Sequence, residues 1–274
     1  MKQRSTKLLP FRVRLALALR KVRPIELGQT LKALTGVTYS EHAVNGIKLW
    51  LDPASNLGIG LLNDSYEPGM TQVLRNILCE GDIFFDVGAN EGWFSLLASK
   101  AVGENGMVLA IEPQARLWEI LIRNLALNDC HNYRLIPYAA GSTESVVDLI
   151  LHPWINNGAT TLVASKRRRR FRRQRARMLR LDTIARIYAD GRRIKLVKID
   201  CEGYELEVLK GASQLFDSRL IQNLLVEYHP DHLRRLGQNK DDIGSYLGRY
   251  GYISKIIHGV EVWSDQRFSE IGAC

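Results

Sequence analysis

The segment Asp86-Val87-Gly88-Ala89-Asn90-Glu91-Gly92 brings an acid, two glycines and an asparagine close together. Gly88 lets the chain turn sharply and bring bare backbone against a ligand. Asn90 is one of the few non-glycine types that tolerates left-handed backbone. Gly92 permits close helix–strand packing. Glu112, followed by Pro113, stands 20 residues beyond Gly92, and its carboxylate can accept hydrogen bonds from both hydroxyls of a ribose. A glycine-rich turn with a later acid also describes dinucleotide binding, but the spacing here is GxxxG where that fingerprint is GxGxxG. Asp86 before the turn would also repel a pyrophosphate. It suits a cationic ligand, and S-adenosylmethionine carries a sulfonium and an ammonium group.

A second constellation reads Lys198-Ile199-Asp200-Cys201-Glu202-Gly203-Tyr204-Glu205. Asp200 could hold a cofactor amine or take a proton. Lys198 lies two residues back, on the same face of a strand, and could lower the pKa of Asp200 or of a substrate hydroxyl. Glu202 and Glu205 flank a helix start, where acids also match the helix dipole. Glu227 and His229 alternate onto one face, and His229, expected to titrate near neutrality, is a candidate base. Asp200, Glu202 and Glu227 could also bind a divalent metal through oxygen, although no metal is predicted. Ala139 and Ala140 would leave room for an adenine. Asp182 reads as a helix cap.

These residues need a scaffold. Short apolar runs at 83–87, 107–111, 133–138, 194–199 and 221–228 predict strands, with helices at 93–101, 116–127, 204–216 and 243–250. Buried runs alternating with helices imply a parallel sheet covered on both faces. Ligands in such α/β sheets bind beyond the carboxyl ends of the strands, where both constellations fall. Residues 252–257 and 260–263 predict a closing hairpin about His258-Gly259. Upstream, 6–22 reads as a basic amphipathic helix, 38–51 as a hairpin about Asn45-Gly46, and a helix starts near Pro68. Residues 141–191 interrupt the alternation, with added strands at 146–151 and 178–181.

With these residues in view, the chain resembles the FkbM-type S-adenosylmethionine-dependent methyltransferases. The resemblance rests on Asp86 to Gly92, Ile111-Glu112-Pro113, Leu181-Asp182-Thr183, Lys198 to Glu205, Leu209-Lys210-Gly211-Ala212 and Val226-Glu227, with Tyr66-Glu67 upstream. It covers about residues 64–230, and the Lys198–Glu205 segment is its most specific part. It implies a Rossmann-like seven-stranded methyltransferase fold and methylation of a hydroxyl oxygen, in settings such as natural-product, glycan or lipopolysaccharide pathways. The candidate cofactor contacts are Asp86, Gly88, Asn90, Gly92, Glu112, Pro113, Ala139 and Asp200. Asp200, Lys198, Glu202 and His229 become the catalytic candidates, and Glu67, Glu205 and Glu227 the candidate substrate contacts. The chain carries Cys201 and Tyr204 where that family often has small apolar residues.

The net charge of +9 is unevenly placed. Residues 1–25 hold eight basic and no acidic side chains, and Lys166 to Arg180 holds ten and none. The remaining body is net acidic. Two basic appendages could contact nucleic acid, an anionic glycan or an anionic membrane surface, and the Lys166–Arg180 run supports an RNA methyltransferase as the alternative to a sugar, glycan or small-molecule acceptor. The 46% hydrophobic content excludes global disorder. No apolar run reaches the roughly 18 residues of a membrane span. Four scattered cysteines suggest free thiols and a cytoplasmic protein, peripheral to the inner membrane surface if the basic segments engage it. The expected division is an extension over 1–63 and a catalytic domain over 64–274, with a basic insertion at about 141–180.

Overall fold

A computed structural model describes residues 10–19, 21–22, 25–152, 160–163 and 171–268. These residues fall into two compact units, one running to Pro68 and including His152, the other comprising Gly69–Leu151 and the described residues from Thr160 on.

The first unit holds α1 (Phe11–Leu19), α2 (Ile25–Leu34), β1 (Ser40–Val44), β2 (Ile47–Leu51) and α3 (Asn56–Leu62). β1 and β2 form the expected antiparallel hairpin. Asn45 and Gly46 both take positive φ, 51° and 80°, which is the backbone a two-residue turn needs. Ile47, Leu49 and Leu51 are buried while Lys48 is exposed. Of the expected basic helix, residues 6–9 and Arg20 lie outside the described residues. α1 ends at Leu19, and α2 and α3 were not foreseen. Ser55 starts α3 by accepting the Gly58 N–H at 2.9 Å.

The second unit is built on β3 (Ile83–Val87), β4 (Met107–Ile111), β5 (Tyr133–Ile136), β9 (Ile194–Ile199), β10 (Ile221–Val226), β11 (Tyr252–Ile257) and β12 (Val260–Asp265). They form one seven-stranded sheet in the order β11-β12-β10-β9-β3-β4-β5. The five strands from β10 to β5 run parallel, and β12 pairs antiparallel with β10 and with β11. This is the Rossmann-like methyltransferase arrangement with a terminal antiparallel hairpin. β3 sits between β4 and β9, where the chain order reverses, which is where α/β sheets open a crevice for ligands. The strands are uniform apolar runs because both faces are covered. Phe85, Val87, Leu109, Ile111, Val197, Ile199 and Leu224 all lie in one core cluster.

The helices are α4 (Pro68–Ile77), α5 (Trp93–Val102), α6 (Ala115–Ala126), α7 (Leu181–Tyr188), α8 (Glu205–Lys210), α9 (Ser213–Asp217), α10 (Pro230–Arg235) and α11 (Lys240–Gly248). The helix expected over 204–216 is two helices. It breaks at Gly211, where a Cβ would stand 2.0 Å from the Gly141 carbonyl oxygen.

The insertion forms a second sheet of three strands, β6 (Ala139–Ala140), β8 (Arg173–Leu179) and β7 (Ser145–Ile150), with β8 in the middle. Lys166–Arg170 lies outside the described residues. The rest of the basic run is mostly strand, beginning five residues earlier than the apolar pattern suggested. Arg173, Arg175 and Arg177 alternate outward while Ala176 and Met178 are buried, so pairing with β7 overrides the charge.

Cys130 and Cys201 are free, but Cys79 is disulfide-bonded, which corrects the expectation of four free thiols. Scattered spacing along the chain says nothing about proximity in the fold. Among the described residues no helix is long and apolar enough to cross a membrane.

Candidate active site

β3 delivers Val87 and Gly88 to the carboxyl edge of the sheet. The N–H groups of Gly88 and Ala89 donate to the Ile111 carbonyl at 3.0 and 3.1 Å, so the turn wraps the end of β4. On the other side the Asp200 N–H donates to the Val87 carbonyl at 3.0 Å. Gly88 has φ +83°, and a Cβ there would stand 1.9 Å from the Asp200 carbonyl oxygen. Only glycine fits. Asn90 follows at φ +52°. Its N–H donates to Glu112 Oε2 at 2.8 Å, while the Gln114 N–H donates to Glu112 Oε1 at 2.8 Å. The Asn90 Oδ1 is buried without a hydrogen-bond partner. Burial pushes the Glu112 pKa up to about 7, against the pull of its two backbone donors and with a further push from the Asp86 charge.

These groups border a cavity that is partly open to solvent. Of the expected cofactor residues, Gly88, Asn90, Glu112, Pro113, Ala139 and Asp200 line it, and Asp86 and Gly92 do not. Gly92 instead starts α5, where a Cβ would stand 2.9 Å from Leu121. Asp86 is fully buried, accepts the Ser95 hydroxyl at 2.7 Å and lies 3.6 Å from Lys198 Nζ. A lysine on the neighbouring strand therefore answers its charge, which corrects the expectation that it faces a cationic ligand.

The insertion supplies a wall that the sequence did not reveal. Leu149, Thr160, Thr161 and Leu162 line the cavity. Thr161 donates its hydroxyl to the Glu202 carbonyl at 2.7 Å, and the Thr160 hydroxyl donates to Gln114 Oε1 at 2.8 Å. Gln174 of β8 donates to the Pro113 carbonyl at 2.7 Å, latching the insertion to the loop after β4.

Beside the cavity, the ends of β9 and β10 gather the remaining candidates. Lys198 is buried, with Nζ 3.3 Å from Asp200 Oδ2 as well as 3.6 Å from Asp86 Oδ1. It fixes the two carboxylates and does not reach the cavity surface. His229 Nδ1 lies 2.9 Å from Glu205 Oε1, which also accepts the Gly203 N–H at 2.8 Å. Glu205 is fully buried and orients the imidazole, out of reach of an acceptor. Asp200, Glu202 and Glu227 stand about the other ring nitrogen. Burial alone would lower the His229 pKa. The Glu205 hydrogen bond and the Glu202 and Asp200 charges outweigh it and set the value at about 9, above the near-neutral one expected. His232, absent from the sequence reading, sits 2.7 Å from the Glu202 carbonyl and holds that turn. Glu67 lies in the first unit with φ +40° and is not among the cavity residues.

A family model described as the methyltransferase FkbM domain matches residues 86–254. The chain is also 31% identical, over 177 residues, to the methyltransferase sdnD of Sordaria araneosa, spanning 54% of this chain and 67% of that one. The chain belongs to the FkbM family of S-adenosylmethionine-dependent methyltransferases. Among solved structures, this methyltransferase is similar to an rRNA methylase from Streptococcus thermophilus, with 10% identity, a TM-score of 0.41 and coverage of 71% of this chain and 91% of that one. It is similar also to TYW2 of M. jannaschii in complex with AdoMet, with 16% identity, a TM-score of 0.41 and coverage of 83% and 85%.

Proposed function

We propose that this methyltransferase methylates a hydroxyl oxygen of a sugar, glycan or other small polyhydroxyl acceptor. One observation carries the reading. Asp200 borders the cavity and also belongs to the carboxylate group around His229. Carboxylates accept hydrogen bonds from hydroxyls and repel phosphates, so this end of the site suits a neutral, hydroxyl-rich acceptor better than a nucleic acid backbone.

The residues present fit the donor. Glu112 has spare acceptor capacity beyond its two backbone donors and would take ribose hydroxyls. The buried Asn90 Oδ1 offers an acceptor to a polar hydrogen. Gly88 leaves the backbone open to close approach, and Ile111, Ala139, Ala140 and Leu162 offer an apolar wall to the adenine. When bound, S-adenosylmethionine supplies a methyl group already activated on a sulfonium. The chain's own task is to hold the acceptor oxygen in line, which contributes roughly 7–11 kcal/mol, and to receive its proton, worth typically about 10²–10⁴-fold. Asp200 is the proton acceptor in this reading, with Lys198 fixing its carboxylate.

A second reading draws on β8. Arg173, Arg175 and Arg177 form an exposed row on the strand whose Gln174 latches the loop after β4. Such a row could grip the phosphates of an RNA acceptor. Incubation with methyl-labelled S-adenosylmethionine and separate pools of glycans, glycolipids and RNA tests both. Label in a glycan or glycolipid hydroxyl is expected. Label in RNA alone, with affinity falling steeply with salt at a log–log slope of about −0.7 per phosphate, would replace the first reading with the second.

A further inference from the structure

The carboxylates around His229 converge on one ring nitrogen. Nε2 of the ring stands 3.8 Å from Asp200 Oδ1, 3.7 Å from Glu202 Oε2 and 3.8 Å from Glu227 Oε1. These separations exceed hydrogen-bond lengths. They match the spacing of neighbouring donors on one cation, since ligands about 2.0–2.6 Å from a metal stand roughly 3–4 Å apart. One atom each from Asp200, Glu227 and His229 lies within 4.8 Å of the other two.

The ring is fixed for that role. Its Nδ1–H donates to Glu205, which leaves Nε2 to face the three oxygens. A carboxylate behind a ligating imidazole is the common orienting partner at metal sites. Glu205 is fully buried, and its Oε2 has no hydrogen-bond partner, so the negative charge gathered here calls for a cation. In the metal-free chain the protonated His229 ring supplies it, and an ion would displace the Nε2 proton on binding. Lys198 engages Asp200 through Oδ2, so Oδ1 is left toward the ring.

We propose that Asp200, Glu227 and His229 are the protein ligands of a divalent cation, with Glu205 as their positioning residue. Two carboxylates and one imidazole suit a hard or borderline ion such as Mn²⁺ or Mg²⁺. Three protein ligands leave positions open for acceptor hydroxyls. The role of the ion rests on the hydroxyl-methylation reading: a hydroxyl held by the cation is more acidic and passes its proton to a carboxylate of the cluster.

The test titrates Mn²⁺ alone into the full-length chain after chelation, followed by calorimetry and by the electron paramagnetic resonance of the free ion. One Mn²⁺ per chain is expected. Glu227→Gln and His229→Gln should each weaken binding more than tenfold. Glu205→Gln should weaken it roughly 10–100-fold. Retained S-adenosylmethionine affinity and an unaltered circular dichroism spectrum identify the variants that are folded. Absence of saturable Mn²⁺ binding by the native chain, or equal binding by folded Glu227→Gln, overturns the proposal. Undiminished transfer to a hydroxyl acceptor in excess chelator also overturns it and leaves the methylation reading standing. Saturable, variant-sensitive binding without transfer to any hydroxyl pool supports the metal site and removes that reading.

Discussion

Lys198 and Asp86 face each other across β9 and β3, with ammonium nitrogen and carboxylate oxygen 3.6 Å apart and both side chains out of solvent. Burial raises the Asp86 pKa, while Lys198 and the Ser95 hydroxyl pull it back. Removing one member of such a pair leaves a charge buried alone. Lys198→Met should therefore cost about 3–5 kcal/mol, read as a lower urea midpoint. The double variant Asp86→Asn with Lys198→Met should recover much of that loss, because no uncompensated charge remains between the two strands. An unshifted midpoint in the single variant would show that the pair contributes nothing.

Gly88→Ala should damage catalysis more than stability. The added methyl would meet the Asp200 carbonyl, and alanine is strained at φ +83°. Pushing the turn and the end of β9 apart moves Asp200 relative to the cofactor cavity. A misplacement on the order of 1 Å costs about 10²-fold in rate. Steady-state kinetics on the accepted pool should show that drop in kcat/KM, beyond any fall in Tm.

Glu112 gives the site a pH dependence with two opposite signs. Its pKa in the folded chain, about 7, lies above the ordinary value of 4.5. The folded state therefore binds the extra proton, and the stability this group contributes is fully present below its ordinary pKa. That contribution is lost as pH rises through about 7. Cofactor binding runs the other way, since the ionised carboxylate is the better acceptor for ribose hydroxyls. The Tm gain on adding S-adenosylmethionine should grow from pH 6 to pH 8, while the ligand-free Tm contribution declines. In Glu112→Gln the cofactor-induced gain should be smaller and flat with pH. A native gain that does not change over that range would exclude Glu112 as the titrating contact.

Thr161→Val isolates the insertion wall. It keeps the side-chain shape but removes the hydroxyl that donates to the Glu202 carbonyl and accepts the Val163 N–H at 3.0 Å. The buried carbonyl and N–H are then left short of partners, at a cost of about 1–3 kcal/mol each at most. The expected result is a raised KM for S-adenosylmethionine, because Thr161 borders the cavity. A fall in kcat at constant KM would instead tie the wall to the proton-transfer end.

Much of this arrangement is legible before folding. The parallel strands are short apolar runs with no competing helical length, and Asp86–Gly92 and Lys198–Glu205 each sit at the end of one. What escaped the sequence depends on contacts distant along the chain. Pro230 opens α10, a helix absent from the sequence reading, and brings His232 to the Glu202 carbonyl. The sequence reading starts a strand only at 178 and leaves Arg173–Arg177 to the basic run, yet pairing with β7 makes Arg173–Leu179 a strand. Asp86 reads as facing a ligand because the lysine that answers it lies 112 residues later, and only the pairing of β3 with β9 brings them together. The Thr160–Leu162 wall has no residue type that marks it.

The fit of Gly88 against the Asp200 carbonyl has an evolutionary consequence. The spacing between the Gly88 turn and the Asp200 backbone is set by two stretches of main chain in contact, which side-chain drift elsewhere disturbs little. The insertion sheet reaches that centre through side-chain hydrogen bonds from Thr160, Thr161 and Gln174, and through Ala140 and Leu179 in the core.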